Sequence, residues 1–233
     1  MKKIISTLAI AFLSISSFAQ NLDEIVKKHI EAIGGKENWA KVKSLKTTGT
    51  MKAQGAEILI TMTQVDKVAS RQDITLMGMN GYSILTKTEG WSFMPFQGQT
   101  KPEPLTADDV AKAQEELDIM PDFFTYKEEG KKLEYLGKDD VDGTECFKLK
   151  MTSKDKKETT YYIDPSNYYI IKETNKMTLN GKEIENSSTM SNYKKQDCGI
   201  VYPFNIGGGW GELEVTNIEV NPKIDDAIFK VAK

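Results

Sequence analysis

The sequence contains very little arginine and histidine. Its 233 residues include 31 lysines and arginines, yet Arg71 is the only arginine and His29 the only histidine. Arginine makes most bidentate contacts to phosphates and base edges, and histidine is the commonest general base and metal ligand. Because the formal net charge is also -3, the composition argues against nucleic acid as a partner, against a metal centre or cofactor, and against an enzyme that depends on histidine.

Long apolar runs are absent after the N-terminus. Met1–Lys3 is a short basic head, Ile4–Phe18 is apolar apart from Ser and Thr, and Ser17-Phe18-Ala19 places small residues before a cleavage point. This pattern predicts a signal peptide over residues 1–19 and a single mature domain over residues 20–233. No cysteine lies directly after the cleavage point, so we expect an exported, soluble chain without a lipid anchor.

Cysteine is also scarce, with Cys146 and Cys198 as the only two. In an exported chain, a disulfide between them would contribute roughly 4 kcal/mol to stability on the chain-entropy estimate. Two free thiols are the alternative, and the sequence leaves both possibilities open. Neither cysteine has a second Cys or a His at metal-ligand spacing, so we expect no zinc site.

The first mature segment has a helical pattern. Apolar residues recur at helical spacing from Leu22 to Ile33, Asn21 can cap the helix, and Gly34-Gly35 can end it. A second short helix is expected over Lys36–Val42, with Trp39 turned inward. From Ser44 onward the apolar period changes from about 3.6 to about 2, which is typical of strands.

About a dozen strand-like stretches lie between Leu45 and Val220, separated by turn signals such as Asn180-Gly181. They are interrupted once, at Gln97–Phe124, where prolines flank a helix expected from Thr106 through Leu117. So many antiparallel strands curl rather than stay flat. We therefore predict a mainly β (α+β) fold, a strongly curved antiparallel sheet forming an unclosed barrel, with the N-terminal helices and the inserted helix covering its concave side.

Flexible and aromatic apolar side chains gather around the inserted segment and the strands before it. Methionine adapts its shape and suits a cavity that accepts variable acyl chains, although simple core filling is the alternative for any single residue. The residues expected to line such a cavity or its lid are Met62, Met77, Met79, Trp91, Phe93, Met94, Phe96, Leu117, Met120, Phe123 and Phe124.

Short motifs in a fixed order cover nearly the whole mature chain. They are Ile33–Lys36, Trp39, Val42–Leu45, Gly49, Asp66-Lys67 with Arg71, Glu89–Trp91, Pro95-Phe96, Gly98, Val141–Gly143, Tyr162–Asp164, Gly199–Pro203, Asn221-Pro222 and Ile228-Phe229. In this order the sequence resembles the exported outer-membrane lipoprotein-sorting proteins, the LolA/LolB-like group.

The resemblance implies an unclosed antiparallel barrel with a helical lid over a hydrophobic cavity. It also implies a periplasmic, non-enzymatic carrier of lipoprotein acyl chains or another lipid, working as a monomer with membrane-bound donor and acceptor proteins. Arg71 would match an arginine that helps to latch the lid. The alternative is an exported partner-binding or scaffold module whose cavity is filled by its own side chains.

Overall fold

The computed structural model describes residues 21–53, 55–179, 182–209 and 211–231. The predicted signal peptide over residues 1–19 and the turn at residues 180–181 lie outside the described residues. The chain forms two compact units, each built from two segments. Unit 1 contains residues 21–35 and 122–189, and unit 2 contains residues 36–121 and 190–231. A single mature domain stays a prediction.

Helices make up a small part of the described chain. The first, α1, spans residues 21–32, close to its expected position. The others are α2 (Lys36–Trp39) and α3 (Ala107–Lys112), with 3-10 helices at Pro95–Gln97, Gln114–Leu117, Asp122–Phe124 and Asp226–Phe229. Trp39 is buried, as predicted, although α2 ends at Trp39 rather than continuing to Val42.

Thirteen strands form one antiparallel sheet that does not close into a barrel, which confirms the predicted fold class. The sheet order is β6-β5-β4-β3-β2-β1-β13-β12-β11-β10-β9-β8-β7. The strands are β1 (Ser44–Ala53), β2 (Ala56–Val65), β3 (Ala69–Leu76), β4 (Met79–Thr86), β5 (Gly90–Phe93), β6 (Glu103–Pro104), β7 (Lys132–Val141), β8 (Thr144–Thr152), β9 (Glu158–Ile163), β10 (Ile170–Leu179), β11 (Lys182–Lys195), β12 (Val201–Gly208) and β13 (Gly211–Val220).

In unit 1, α1 packs against one face of β8 and β9. Its apolar side carries Ile25 and Val26, which join a buried cluster with Phe123, Leu149 and Ile163. These two α1 residues are adjacent members of the apolar stripe, so the helix meets the sheet along the stripe that the sequence predicts.

In unit 2, the inserted segment differs from its prediction. The helix α3 begins close to its expected position, where Thr106 caps it by accepting a hydrogen bond from the Asp109 backbone, but α3 ends at Lys112. One continuous helix to Leu117 is therefore wrong, because Gln114–Leu117 forms a 3-10 helix instead. There the Leu117 carbonyl oxygen accepts a bond from the backbone N–H of Lys67 at 2.8 Å, which fixes the end of the 3-10 helix to the turn after β2.

Candidate functional site

The sheet in unit 2 has two chemically different faces. Successive residues of a strand point to opposite sides, and residues directly opposite each other on neighbouring strands share a side. On β4, Leu85 lies on one side in a buried cluster with Val110 and Leu117, and Ile84 lies on the other with Phe229. We call the side of Leu85 the uncharged face and the side of Ile84 the charged face.

Four rows of side chains cross the uncharged face. The first row is Leu213, Met51, Ile58, Leu76 and Met79; the second is Val215, Gly49, Ile60, Ile74 and Gly81; the third is Ile218, Thr47, Met62, Gln72, Ser83 and Ser92; the fourth is Val220, Leu45, Gln64, Ser70, Leu85 and Gly90. The first two rows are apolar throughout. The third and fourth rows mix apolar side chains with neutral polar ones.

All charged residues of β1–β5 and β13 point to the charged face. They are Lys46, Lys52, Glu57, Arg71, Asp73, Glu212, Glu214 and Glu219. Several of them pair there, as Lys46 does with Glu219 at 3.3 Å. The pairing register thus places every charged side chain of these strands on one side of the sheet and leaves the other side uncharged.

Parts of the chain outside these strands cover the edge of the uncharged face. Leu105 and Leu117 pack at the fourth row, beside Leu85 and Gly90. A side chain at Gly90 would come within 2.6 Å of Leu105, and one at Gly81 would come within 2.8 Å of Phe96. Glycine at these two positions therefore lets the 94–105 segment approach the sheet closely.

The first row stays open to solvent. Met51, Ile58 and Leu76 are half-buried, and Met79 is 41% exposed. Met77, in the turn after β3, is 83% exposed and has a positive φ of 51°. Partly exposed apolar side chains in a contiguous row are the usual lining of a binding surface for apolar ligands.

The structure divides the residues that the sequence singled out. Met62, Met79, Met94, Phe96 and Leu117 lie on or against the uncharged face. Three others lie on the opposite side and do not join that wall: Arg71, Trp91 and Phe93. Met120 is half-buried after the 3-10 helix at Gln114–Leu117.

Arg71 binds the C-terminal segment. Its Nε and Nη2 atoms donate to the Asp73 carboxylate at 2.7 to 3.0 Å, and its Nη1 donates to the Ile228 carbonyl oxygen at 2.7 Å. The guanidinium also lies 4.5 Å from the centre of the Tyr82 ring. Because these contacts lie on the charged face, Arg71 does not meet α3, the helix of the inserted segment.

The two aromatic residues at the end of the inserted segment belong to unit 1. Phe123 and Phe124 are both buried. Phe123 packs edge-on against His29 and Tyr161, with ring centres 4.8 and 4.9 Å apart. These contacts make Phe123 part of the packing under α1.

One polar cluster lies beside that packing. The Tyr161 hydroxyl donates to Asp122 at 3.1 Å, and Lys131 pairs with the same carboxylate at 2.8 Å. Burial, together with the nearby Asp122 charge, raises the pKa of Glu173, which is directly opposite Tyr161 in the sheet. The cluster anchors the 3-10 helix at Asp122–Phe124.

Both cysteines are free thiols in the structure. Cys146 is fully buried in unit 1, and burial raises the pKa of its thiol to about 11. Cys198 is half-buried in unit 2, beside a pocket of about 280 Å³ lined by Lys195, Gln196, Asp197, Ile218 and Val220.

Within the described ranges, no group of three or more His, Cys, Asp or Glu side chains is placed to hold a metal ion. None of the helices in that part of the chain combines the length and hydrophobicity needed to cross a membrane.

Comparison with solved structures identifies the fold. A LolA superfamily protein from Nitrosomonas europaea aligns with a TM-score of 0.54 at 15% identity, covering 89% of this chain and 96% of the other. An outer membrane lipoprotein-sorting protein domain from Vibrio parahaemolyticus gives 0.54 at 14% identity, covering 88% and 94%. The protein has the LolA-like fold. A DUF1329 family protein from Desulfovibrio piger shares it, at 0.54 and 11% identity over 89% and 96% of the two chains.

The likeness to LolA-like proteins comes from comparison of structures and not from comparison of sequences. No protein-family model matches the sequence, and no curated protein matches it. At 11 to 15% identity the likeness establishes the architecture, and the function must be argued from this chain's own residues.

Sequence reasoning missed most of the uncharged face. Its apolar wall is built chiefly by Ile58, Ile60, Ile74, Leu76 and Leu213. The alternation of Ile58, Ile60 and Met62 with neighbours that are polar except for Leu59 was a usable signal for one strand. Pairing of β1 with β13 joins residues about 170 positions apart, as in Leu45 with Val220, and no local pattern reveals it.

Proposed function

We propose that this protein is a non-enzymatic periplasmic carrier that shields a lipoprotein acyl chain, or another lipid, on the uncharged face of unit 2. The observation that supports this most is the charge separation in the sheet. Two adjacent rows, one from Leu213 to Met79 and one from Val215 to Gly81, contain only apolar residues and glycine.

The energetics favour such a ligand. Each methylene that leaves water for an apolar surface contributes about 0.8 kcal/mol, so a chain lying along one row gains several kcal/mol before entropy costs are subtracted. Charged residues on that face would oppose binding, and β1–β5 and β13 place all of theirs on the other side.

Under the same proposal, the protein releases its ligand without catalysing a reaction. His29, the single histidine, is 2% exposed, and its Nδ1 lies 2.8 Å from the Tyr168 carbonyl oxygen. A side chain held in this way is not available to a substrate. Loading and unloading would then depend on membrane-bound donor and acceptor proteins that meet a monomeric carrier.

A pair of adjacent substitutions on β2 tests the site. Ile58 is on the uncharged face, whereas its neighbour Leu59 is on the charged face and 46% exposed. We expect Ile58→Glu to lower the affinity for a fluorescent acyl probe by about tenfold or more, because the bound chain would lie against an ionised carboxylate. Leu59→Glu adds the same charge to the same strand and should change the affinity by less than about twofold.

Equal effects of the two substitutions would contradict this placement of the ligand. Circular dichroism and thermal unfolding of both variants separate a lost site from a lost fold. If wild-type protein binds no acyl probe at all, the carrier proposal itself fails.

The second candidate is a partner-binding module whose cavity is filled by its own side chains, and one set of contacts favours it. Phe96 and Met94 lie against Gly81, and Leu105 lies against Gly90, so the chain already occupies one edge of the uncharged face. Under this alternative the protein would bind a partner protein and no acyl probe, and probe binding by the wild type decides between the two.

A further inference from the structure

The third row of the uncharged face differs from the rows beside it. It contains Gln72 on β3, Ser83 on β4 and Ser92 on β5, which lie directly opposite one another across three strands. Thr47 adds a fourth neutral polar side chain to the row, on the other side of Met62. The row separates the open first row and the largely buried second row from the fourth row, where Leu85 is covered by Leu117.

The polar groups of this row are not used by the protein itself. In the part of the chain that the structure describes, no hydrogen bond engages the side chain of Gln72, Ser83 or Ser92, and all three are half-buried. None has a polar atom that is completely buried without a partner, so each can reach a ligand or solvent. A half-buried amide and two hydroxyls side by side are a preformed set of hydrogen-bond donors and acceptors.

The row carries no positive charge. Arg71 is the residue before Gln72, but it points to the charged face, where Asp73 and the Ile228 carbonyl oxygen hold it. At the end of the row, Ser92 is opposite Glu103 on the edge strand β6, and Gln99 donates to that carboxylate at 3.1 Å. The nearest charge in the row is therefore negative and would repel an anionic group.

From this arrangement we propose that Gln72, Ser83 and Ser92 form a polar subsite that binds the uncharged ester or amide group of an acylated ligand. The inference rests on the proposed carrier function and specifies its ligand class. The acyl chain lies along the first two rows, and its ester or amide carbonyl accepts hydrogen bonds from the Gln72 amide and a serine hydroxyl. Neutral acyl esters and amides are thus preferred over free fatty acids.

The physical basis for selectivity is the desolvation of a carboxylate. An ionised head group placed in this row would lose water without meeting a cation, which is costly. An ester or amide carbonyl loses much less hydration free energy than a carboxylate, and hydrogen bonds from neutral donors compensate for that loss. The row therefore discriminates by rejecting charge as well as by binding the carbonyl.

The experiment compares three probes that share one chain length: monolaurin, laurate and dodecylamine. Each competes with a neutral fluorescent acyl probe on the full mature protein at pH 8, where laurate is ionised. We expect monolaurin to bind at least about tenfold more tightly than laurate. A second competition compares a lipopeptide that has an acylated N-terminal cysteine with a diacylglycerol. It shows whether the bound ester belongs to a protein or to a free lipid. Tighter binding of either ligand supports the subsite.

Two variants test the residues. Gln72→Lys places a cation in the row and should raise laurate affinity relative to monolaurin by about tenfold. The combined change Gln72→Leu, Ser83→Ala and Ser92→Ala removes the donors and should weaken monolaurin by about fivefold to tenfold. Thr61→Ala, a polar deletion on the charged face of β2, is the matched control and should leave both affinities unchanged.

The outcomes separate this inference from the function on which it rests. If monolaurin and laurate bind equally well and Gln72→Lys leaves their ratio unchanged, the subsite is wrong and the carrier function stands. If no probe binds to the wild type, both fail. The single substitution Gln72→Lys keeps the test decisive even where the triple variant does not fold.

Discussion

His29 lies in an environment that changes its ordinary acid–base chemistry. It is 2% exposed on α1, packs edge-on against Phe123, and donates its Nδ1 proton to the Tyr168 carbonyl oxygen, since that oxygen can only accept. Burial lowers the pKa of His29 to about 4, and the bond to Tyr168 offsets only part of this effect. The folded protein therefore holds His29 neutral where an unfolded chain would protonate it.

This difference predicts a stability that depends on pH. Below pH 6.5 the unfolded chain binds a proton that the folded chain refuses until about pH 4, so stability is full above pH 6.5 and falls as the pH decreases toward 4. Between pH 7 and pH 5 we expect the wild type to lose about 2 kcal/mol more than His29→Gln, measured by urea unfolding. Identical pH dependence of the two proteins would show that His29 is not buried as described.

At the scale of elements, the C-terminal 3-10 helix at Asp226–Phe229 is fastened to the charged face of the sheet. Phe229 is buried with Ala69 and Ile84, and half-buried Trp91 packs on the same cluster. Arg71 adds the polar contact through the Ile228 carbonyl oxygen. The aromatic residues on this side thus pack against the chain's own terminus, which explains why Trp91 is not part of the uncharged face.

We expect Arg71→Met to loosen this C-terminal segment while leaving acyl-probe binding within about twofold of wild type. The substitution removes three kinds of contact, with Asp73, the Ile228 carbonyl oxygen and the Tyr82 ring, but none on the uncharged face. Hydrogen–deuterium exchange should rise in residues 222–231 and stay unchanged in α3. A loss of probe binding together with faster exchange in α3 would instead assign Arg71 the latch role that the sequence resemblance implies.

These elements also show what the sequence can predict. Local patterns locate α1, the start of α3 and the strands, because each depends on neighbours within a few residues. Faces are harder to predict. Trp91 and Met94 are three residues apart, so strand alternation places them on opposite sides, with Trp91 on the charged face and Met94 against Gly81 on the other. Alternation does not show which side the C-terminal segment covers, because that depends on the contact of Trp91 with the cluster around Phe229, 138 residues later.

For the whole molecule, the order of strands explains why the uncharged face exists. Most neighbours in the sheet are also neighbours in sequence, but β1 pairs with β13, which brings the first and the last strand of the described chain together. Leu213, Val215 and Ile218 thereby extend the apolar rows begun by β1–β4. The LolA-like fold supplies this sheet order, and the alternation of this chain's own residues supplies the separation of charge.

The central claim is that this protein carries an acyl-bearing molecule, and native mass spectrometry tests it most directly. The protein would be purified gently from the cells that naturally produce it, measured intact, and then extracted with organic solvent. We expect a stoichiometric adduct whose extracted mass corresponds to a neutral acyl ester or amide, and we expect Ile58→Glu to be recovered without it. A clean mass for the wild type, with no uptake of added monolaurin or lipopeptide, would contradict the carrier function and favour a binding module filled by its own side chains.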